Sequence, residues 1–220
     1  MHGENAVLNS NHSDIMRKLA RALLYLTLIV VAIFGWRNYR ARQGQPISVT
    51  GGESLNLMLP DLPETYLQKD PRWAKEKLGS TSEPFGSVGC AVCSVAMAAT
   101  RLGFEIDPGR LNEELRQKEG YTPQGWLIWD TISRVSDKRL RAEIADRPTH
   151  AGLDKALKSG AYPVVKFILL TGVPHWVVIV GKEGQEYLIR DPLLDSTKPV
   201  PLSKRADAIY SMRFIRQARQ

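Results

Sequence analysis

Three short runs of β-branched and aromatic residues crowd the C-terminal part of the chain. They are Pro163–Leu170 (PVVKFILL), His175–Val180 (HWVVIV) and Tyr187–Arg190. Bounded by glycine and turn residues, such runs read as strands. Gly181-Lys-Glu-Gly184 reads as a hairpin loop between the last two. Leu140–Ala145 alternates in polarity and predicts another strand, and a final one is expected over Ala208–Ile215. Helical signals come earlier. Residues 90–102 (CAVCSVAMAATRL) are small and apolar and stop at Gly103. Asp107-Pro108 opens a helix over 108–118, with Asp107 as N-cap. Thr122-Pro123 opens a third over 123–135, and Gly152–Lys158 forms a short fourth. Helices followed by an antiparallel sheet make an α+β layout.

A separate feature lies near the N-terminus. Ala22–Trp36 (ALLYLTLIVVAIFGW) carries no charge. Fifteen helical residues reach about 22 Å, short of the roughly 30 Å hydrocarbon core. Leu19, Ala20 and a snorkelling Arg21 extend the run, and Trp36 and Tyr39 stand where interfacial aromatics belong. The expectation is a short polar arm over residues 1–18, one transmembrane helix or signal-anchor over 19–36, a linker over 37–60 and one domain over 61–220. Basic residues flank the span evenly, three on each side. The short polar arm favours a single-pass protein whose domain lies outside the cytoplasm.

The net charge is +7, but residues 1–46 hold +4 of it and the remaining 174 residues only +3. The body is near neutral, so nucleic-acid binding is not expected. Two cysteines are too few for a disulfide scaffold or a cysteine-rich zinc module. No metal and no cofactor are expected.

The two cysteines carry the chemistry. Cys90 follows Gly86-Ser87-Val88-Gly89 and begins a helix. Unpaired N–H groups and the positive end of the dipole favour a thiolate there, which is the nucleophilic form. Gly89, with no side chain, admits a substrate or a neighbouring loop. His175 starts an apolar strand, held rigidly yet reachable, as proton transfer requires. If the next strand returns as a hairpin, Asp191 lies near His175 and a carboxylate there orients the imidazole. Gln68, in YLQKDPRW, offers an amide N–H to a developing oxyanion beside the Cys90 backbone N–H.

This order of residues is Gln68, Gly89-Cys90 with Ser94 and Ala96-Met97, His175-Trp176 on a strand closed by Gly181, and Asp191-Pro192. It resembles the papain-like cysteine peptidases of the bacteriocin-processing (double-glycine leader) family, in the stand-alone "C39-like" branch. The resemblance covers about residues 61–195. It implies a papain-like fold with N-terminal helices packed on an antiparallel sheet. It also implies Cys90 as nucleophile, His175 as base and acid, Asp191 as the orienting carboxylate and Gln68 as oxyanion donor. Trp73 and Trp176 match aromatic positions and are expected to be structural. The substrate implied is a peptide or protein. No ATPase or multi-span domain is present in these residues, so export coupled to leader cleavage is not expected.

Two other functions are compatible with parts of the sequence. Cys90-Ala-Val-Cys93 is a C-x-x-C at a helix start, as in thiol redox proteins, but it lacks the βαβ context. A catalytically silent peptide-binding module of the same fold is the other. Loops around 79–88, 119–126 and 170–174 are the expected groove walls, with Tyr121, Trp126 and Trp129 lining one side. His150 is expected at the surface.

Overall fold

The apolar runs form strands because each can be buried only by pairing with another. In the computed structural model, which describes residues 16–32, 45–60 and 65–218, they build a six-stranded antiparallel sheet. The chain divides into two units, residues 1–43 and residues 44–220.

The first unit contains one described helix, α1, over residues 16–32. Its large apolar side chains, from Met16 to Val31, are all exposed. Among the described residues no helix is long and apolar enough to cross a membrane. The expected span ran to residue 36; its last four residues, Trp36 among them, and Tyr39 lie outside the described residues.

The second unit opens with β1 (Ile47–Ser48) and β2 (Thr50–Met58). A short helical turn α2 (Phe85–Val88) leads into α3 (Cys90–Arg101), followed by α4 (Pro108–Gln117) and α5 (Thr131–Val135). Then come β3 (Leu140–Ile144), α6 (His150–Lys158), β4 (Tyr162–Ile168) and β5 (Pro174–Arg190). The chain ends with β6 (Val200–Pro201), a 3-10 turn over Leu202–Lys204, β7 (Ala208–Ile209) and β8 (Ser211–Gln217). The main sheet runs β2-β5-β4-β8-β3, with β6 on β5, and β1 pairs separately with β7. Helix α3 packs on β4, β5 and β8, and its face from Val92 to Ala99 is buried in the core. Small side chains on that helix let it lie close to the sheet.

One helix starts where its cap predicts, and the helix at His150 starts two residues before the expected Gly152, capped by Thr149. The Asp107 carboxylate accepts from Arg110 N at 2.8 Å, and Thr149 Oγ1 from Gly152 N at 3.1 Å. The third expected helix is shorter than its sequence suggested. Residues 121–127 close a turn instead, in which Thr122 N donates to Trp126 O at 2.9 Å and Thr122 Oγ1 accepts from Trp126 N at 3.2 Å. Gly125 weakens a helix there, and the competing turn wins.

The stretch expected as linker is also different. Residues 47–58 are strand, and β2 pairs antiparallel with β5 through Leu55↔Gly184 to Met58↔Gly181. Thr50-Gly-Gly-Glu shows too little apolar periodicity to announce this; the partner supplies it. The register shifts between Thr50 and Leu55. At Gly52, φ is 72°, and a Cβ would stand 2.3 Å from Asp154 Oδ2, so only glycine fits.

That close approach surrounds a buried ion pair. Lys182 Nζ donates to Asp154 Oδ1 at 2.6 Å and to Gly51 O at 2.8 Å. Tyr187 OH donates to the same Asp154 oxygen at 3.0 Å, and Glu53 N to Oδ2 at 2.8 Å. Both charged side chains are essentially unexposed. His150, expected at the surface, is half-buried here and bonds Tyr187 OH through Nδ1 at 3.2 Å. A lone aspartate-to-alanine change strands the ammonium. We therefore expect Asp154→Ala to cost about 3–5 kcal/mol of stability. The double change Asp154→Leu, Lys182→Met should cost much less. Urea midpoints at unchanged slope test this; equal losses in the two variants would contradict it.

Candidate active site

The loop before α3 is built for close packing. At Gly89 a Cβ would lie 2.4 Å from the Phe85 ring and 2.7 Å from Phe85 O. The glycine therefore admits the preceding helical turn, the second of the two close approaches its position suggests. Gly89 caps α3 and Cys90 is its first residue. The thiol sits at the positive end of a twelve-residue helix.

His175 lies near the start of β5 and is buried. Its cross-strand partner Phe167 meets its ring edge to face, with centroids 5.3 Å apart. Ser94 Oγ donates to Trp176 O at 3.2 Å and ties α3 to the strand. These contacts fix where the imidazole stands relative to the Cys90 helix.

Asp191 follows the far end of β5. A straight run from His175 to Asp191 would separate them by about 50 Å. Instead, His175 Nε2 donates to Asp191 Oδ1 at 2.7 Å. The chain therefore reverses within β5; residues 181–184, expected as a hairpin loop, are instead strand paired with β2, and Gly184 has a φ of 58°. Cys90 is close enough to His175 to help raise its pKa. Nε2 is taken by Asp191. His175 thus stands between the Asp191 carboxylate and the Cys90 helix.

Burial opposes charge on His175, yet the bond to Asp191 and the neighbouring Cys90 outweigh it and push its pKa up to about 9. Burial likewise opposes ionisation of Asp191, but its donors hold the carboxyl below the usual range. Those donors are His175, Leu193 N on Oδ1 at 2.8 Å and Arg205 Nε on Oδ2 at 2.8 Å.

Gln68 links two parts of this region. Its backbone N–H donates to Pro192 O at 3.0 Å, directly after Asp191. Its side-chain Nε2 donates to Gly86 O at 3.0 Å, in the turn leading to Cys90. The residue is buried, and among the described residues its Oε1 has no hydrogen-bond partner.

Cys93, one helical turn on, is fully buried in the core. Burial pushes its thiol well above the ordinary value, which removes the reactive form that a redox pair needs. Trp73 is buried and donates to Leu67 O at 2.8 Å. Trp176 packs against Trp129 in a tilted contact, with centroids 5.1 Å apart and the Arg213 guanidinium near both rings. Of the three aromatics expected along the groove, Trp129 is buried, Tyr121 OH bonds Asn112 Oδ1 at 2.8 Å, and Trp126 is exposed. Leu170 and Val173, in the 170–174 loop beside His175, are exposed as well.

Arg205 is the residue that sequence reasoning missed. It lies in Pro201-Leu-Ser-Lys-Arg-Ala206, with no motif around it. Only the fold shows which of the neighbouring cations reaches Asp191.

Residues 85–206 match the Peptidase C39 family. They include Cys90, His175, Asp191 and Arg205, whereas Gln68 lies ahead of them. A crystal structure of a C39-like peptidase from Bacillus anthracis is similar at 19% identity, with a TM-score of 0.48. The likeness covers 75% of this chain and 100% of that one. No curated protein matches the chain. With more than half of its residues in the family match, the chain belongs to the Peptidase C39 family and is a papain-like cysteine peptidase.

Proposed function

We propose that the protein hydrolyses a peptide bond through Cys90, His175 and Asp191, with Gln68 as an oxyanion donor. The observation that carries this reading is the buried His175–Asp191 hydrogen bond of 2.7 Å, on the strand that packs against the helix opened by Cys90. The Cys90 sulfur attacks the scissile carbonyl as a thiolate, with its proton held on His175. The carbonyl oxygen takes the negative charge and accepts from Cys90 N and the second Nε2 hydrogen of Gln68. As the C–N bond breaks, His175 gives its proton to the leaving amine. A water then attacks the thioester, passes a proton to His175, and releases the carboxylic product and the thiol. Throughout, Asp191 holds the imidazole in one orientation and stabilises its cation.

The burial of Cys93 supports hydrolysis over thiol redox chemistry. A filled Cys–His–Asp line supports catalysis over a silent binding module. In a peptide-library assay, Cys90→Ala should abolish cleavage while Cys93→Ser leaves it nearly unchanged. Gln68→Ala should lose about 10²–10³ in kcat. A Cys90→Ala protein that still cleaves would overturn the assignment.

His175 also makes stability depend on pH. Its folded value of about 9 lies above the ordinary 6.5. The stabilisation is therefore complete below about pH 6.5 and is lost as pH rises through about 9. Asp191 acts at the other end, where its contribution is lost as pH falls through its lowered value. The margin by which wild type exceeds His175→Ala should shrink between pH 6.5 and 9 in urea titrations. A flat margin would contradict a raised His175.

We further propose that the N-terminal segment holds the peptidase at a membrane, with the catalytic unit on the extracytoplasmic side. Support comes from the run of exposed apolar side chains on α1 and from Arg17, Lys18 and Arg21 at its start. Full-length protein should resist alkaline carbonate extraction, and protease added to intact cells should digest the catalytic unit. Release by carbonate would refute anchoring, and protection from protease would reverse the orientation.

A further inference from the structure

We propose that Arg205 is a positioning residue of the active site, clamping the second oxygen of Asp191 and so fixing the oxygen that Asp191 presents to His175. The inference rests on the catalytic reading given above.

The Asp191 side chain has no exposure, so its lone pairs must be met by protein donors. Oδ1 receives His175 Nε2 and Leu193 N. Oδ2 receives Arg205 Nε at 2.8 Å. A carboxylate held by one oxygen still swings about its last torsion, which is broad and soft. Held at both oxygens, it keeps one orientation, and the imidazole plane follows it.

The charges point the same way. Asp191 is packed against groups from three directions: His175 at the start of β5, Leu193 N just beyond its own turn, and Arg205 after the 3-10 turn. Cys90 stands across the imidazole on α3. Arg190, the adjacent cation, donates to Thr65 Oγ1, Ser196 O and Thr197 O. Arg205 therefore meets the carboxylate on the oxygen opposite the one that faces the imidazole. Its side chain is 24% exposed, so its outer N–H groups meet water while Nε faces the carboxylate. The backbone that carries it is anchored, because Arg205 N and Ala206 N both donate to the carbonyl of the fully buried Leu202.

The test is alkylation of Cys90 in the full-length protein by iodoacetamide across pH 4–9, read per cysteine by mass spectrometry, with melting temperatures in parallel. Without Arg205, Asp191 takes up a proton at higher pH and the imidazolium loses its partner. Arg205→Met should slow labelling at pH 6 by about tenfold or more and shift the acid limb to higher pH. Arg205→Lys keeps the charge but not the planar donor. It should hold the acid limb near wild type and recover part of the rate. Should Arg205→Met fail to fold, Arg205→Gln, which keeps an N–H donor without charge, must still shift the limb. A profile for Met or Gln that overlays wild type, whatever the melting temperature, overturns the proposal. Asp191→Asn separates the two readings. If it changes the profile and the Arg205 variants do not, only the role of Arg205 fails. If it leaves the profile unchanged, the catalytic line itself fails.

Discussion

A carboxylate with no solvent contact organises this molecule. Removing an anion from water is costly, and the cost falls only when donors converge on it. Asp191 receives three, from a histidine near the start of its own hairpin, from the turn that follows it and from an arginine fourteen residues on. Each donor constrains a different stretch of chain. The reversal of β5, the turn at Pro192-Leu193 and the 3-10 turn near the C-terminus all have to be in place for the anion to be tolerated. The helix that Cys90 opens is then fixed to the same frame through Ser94 and the carbonyl of Trp176.

Much of this was legible in the residues because the relevant signals are local. The helix that begins at Cys90 declares itself by small apolar residues and a glycine stop. The strand PVVKFILL declares itself by β-branching. The reversal that brings Asp191 back to His175 falls within β5, although the expected loop residues 181–184 are themselves strand, paired with β2. Other features depended on distant partners and left no local mark. β2 reads as a polar, glycine-containing connector until β5 is there to pair with it. Lys182 looks like a solvated turn lysine, but the fold buries it against Asp154 and Tyr187. The segment after Thr122 has a helix-start signature that a tighter turn pre-empts. Arg205 is one cation among several, and its role follows from tertiary geometry alone.

The two cysteines illustrate how one helix sets two fates for the same side chain. Cys90 lies in the first turn, where backbone N–H groups have no intrahelical acceptor, and it meets an imidazole. Cys93 lies one turn further on, fully buried within the hydrophobic core. Spacing alone gives a redox motif; depth in the core separates the proposed nucleophile from packing material.

The clasp between β2 and α6 has a mechanical consequence. Any load drawn through the N-terminal segment enters the peptidase unit at residue 44 and meets β1 first, a two-residue pairing with β7 that peels easily. Beyond it the pull reaches Gly51 and Glu53, whose backbone is held by Lys182 and Asp154 in the interior. Force must therefore strip a strand and break its backbone hydrogen bonds to a buried ion pair before it reaches Gln68, the first of the proposed catalytic residues. A peptidase loaded from that end would keep its catalytic geometry while its leading strand absorbs the strain.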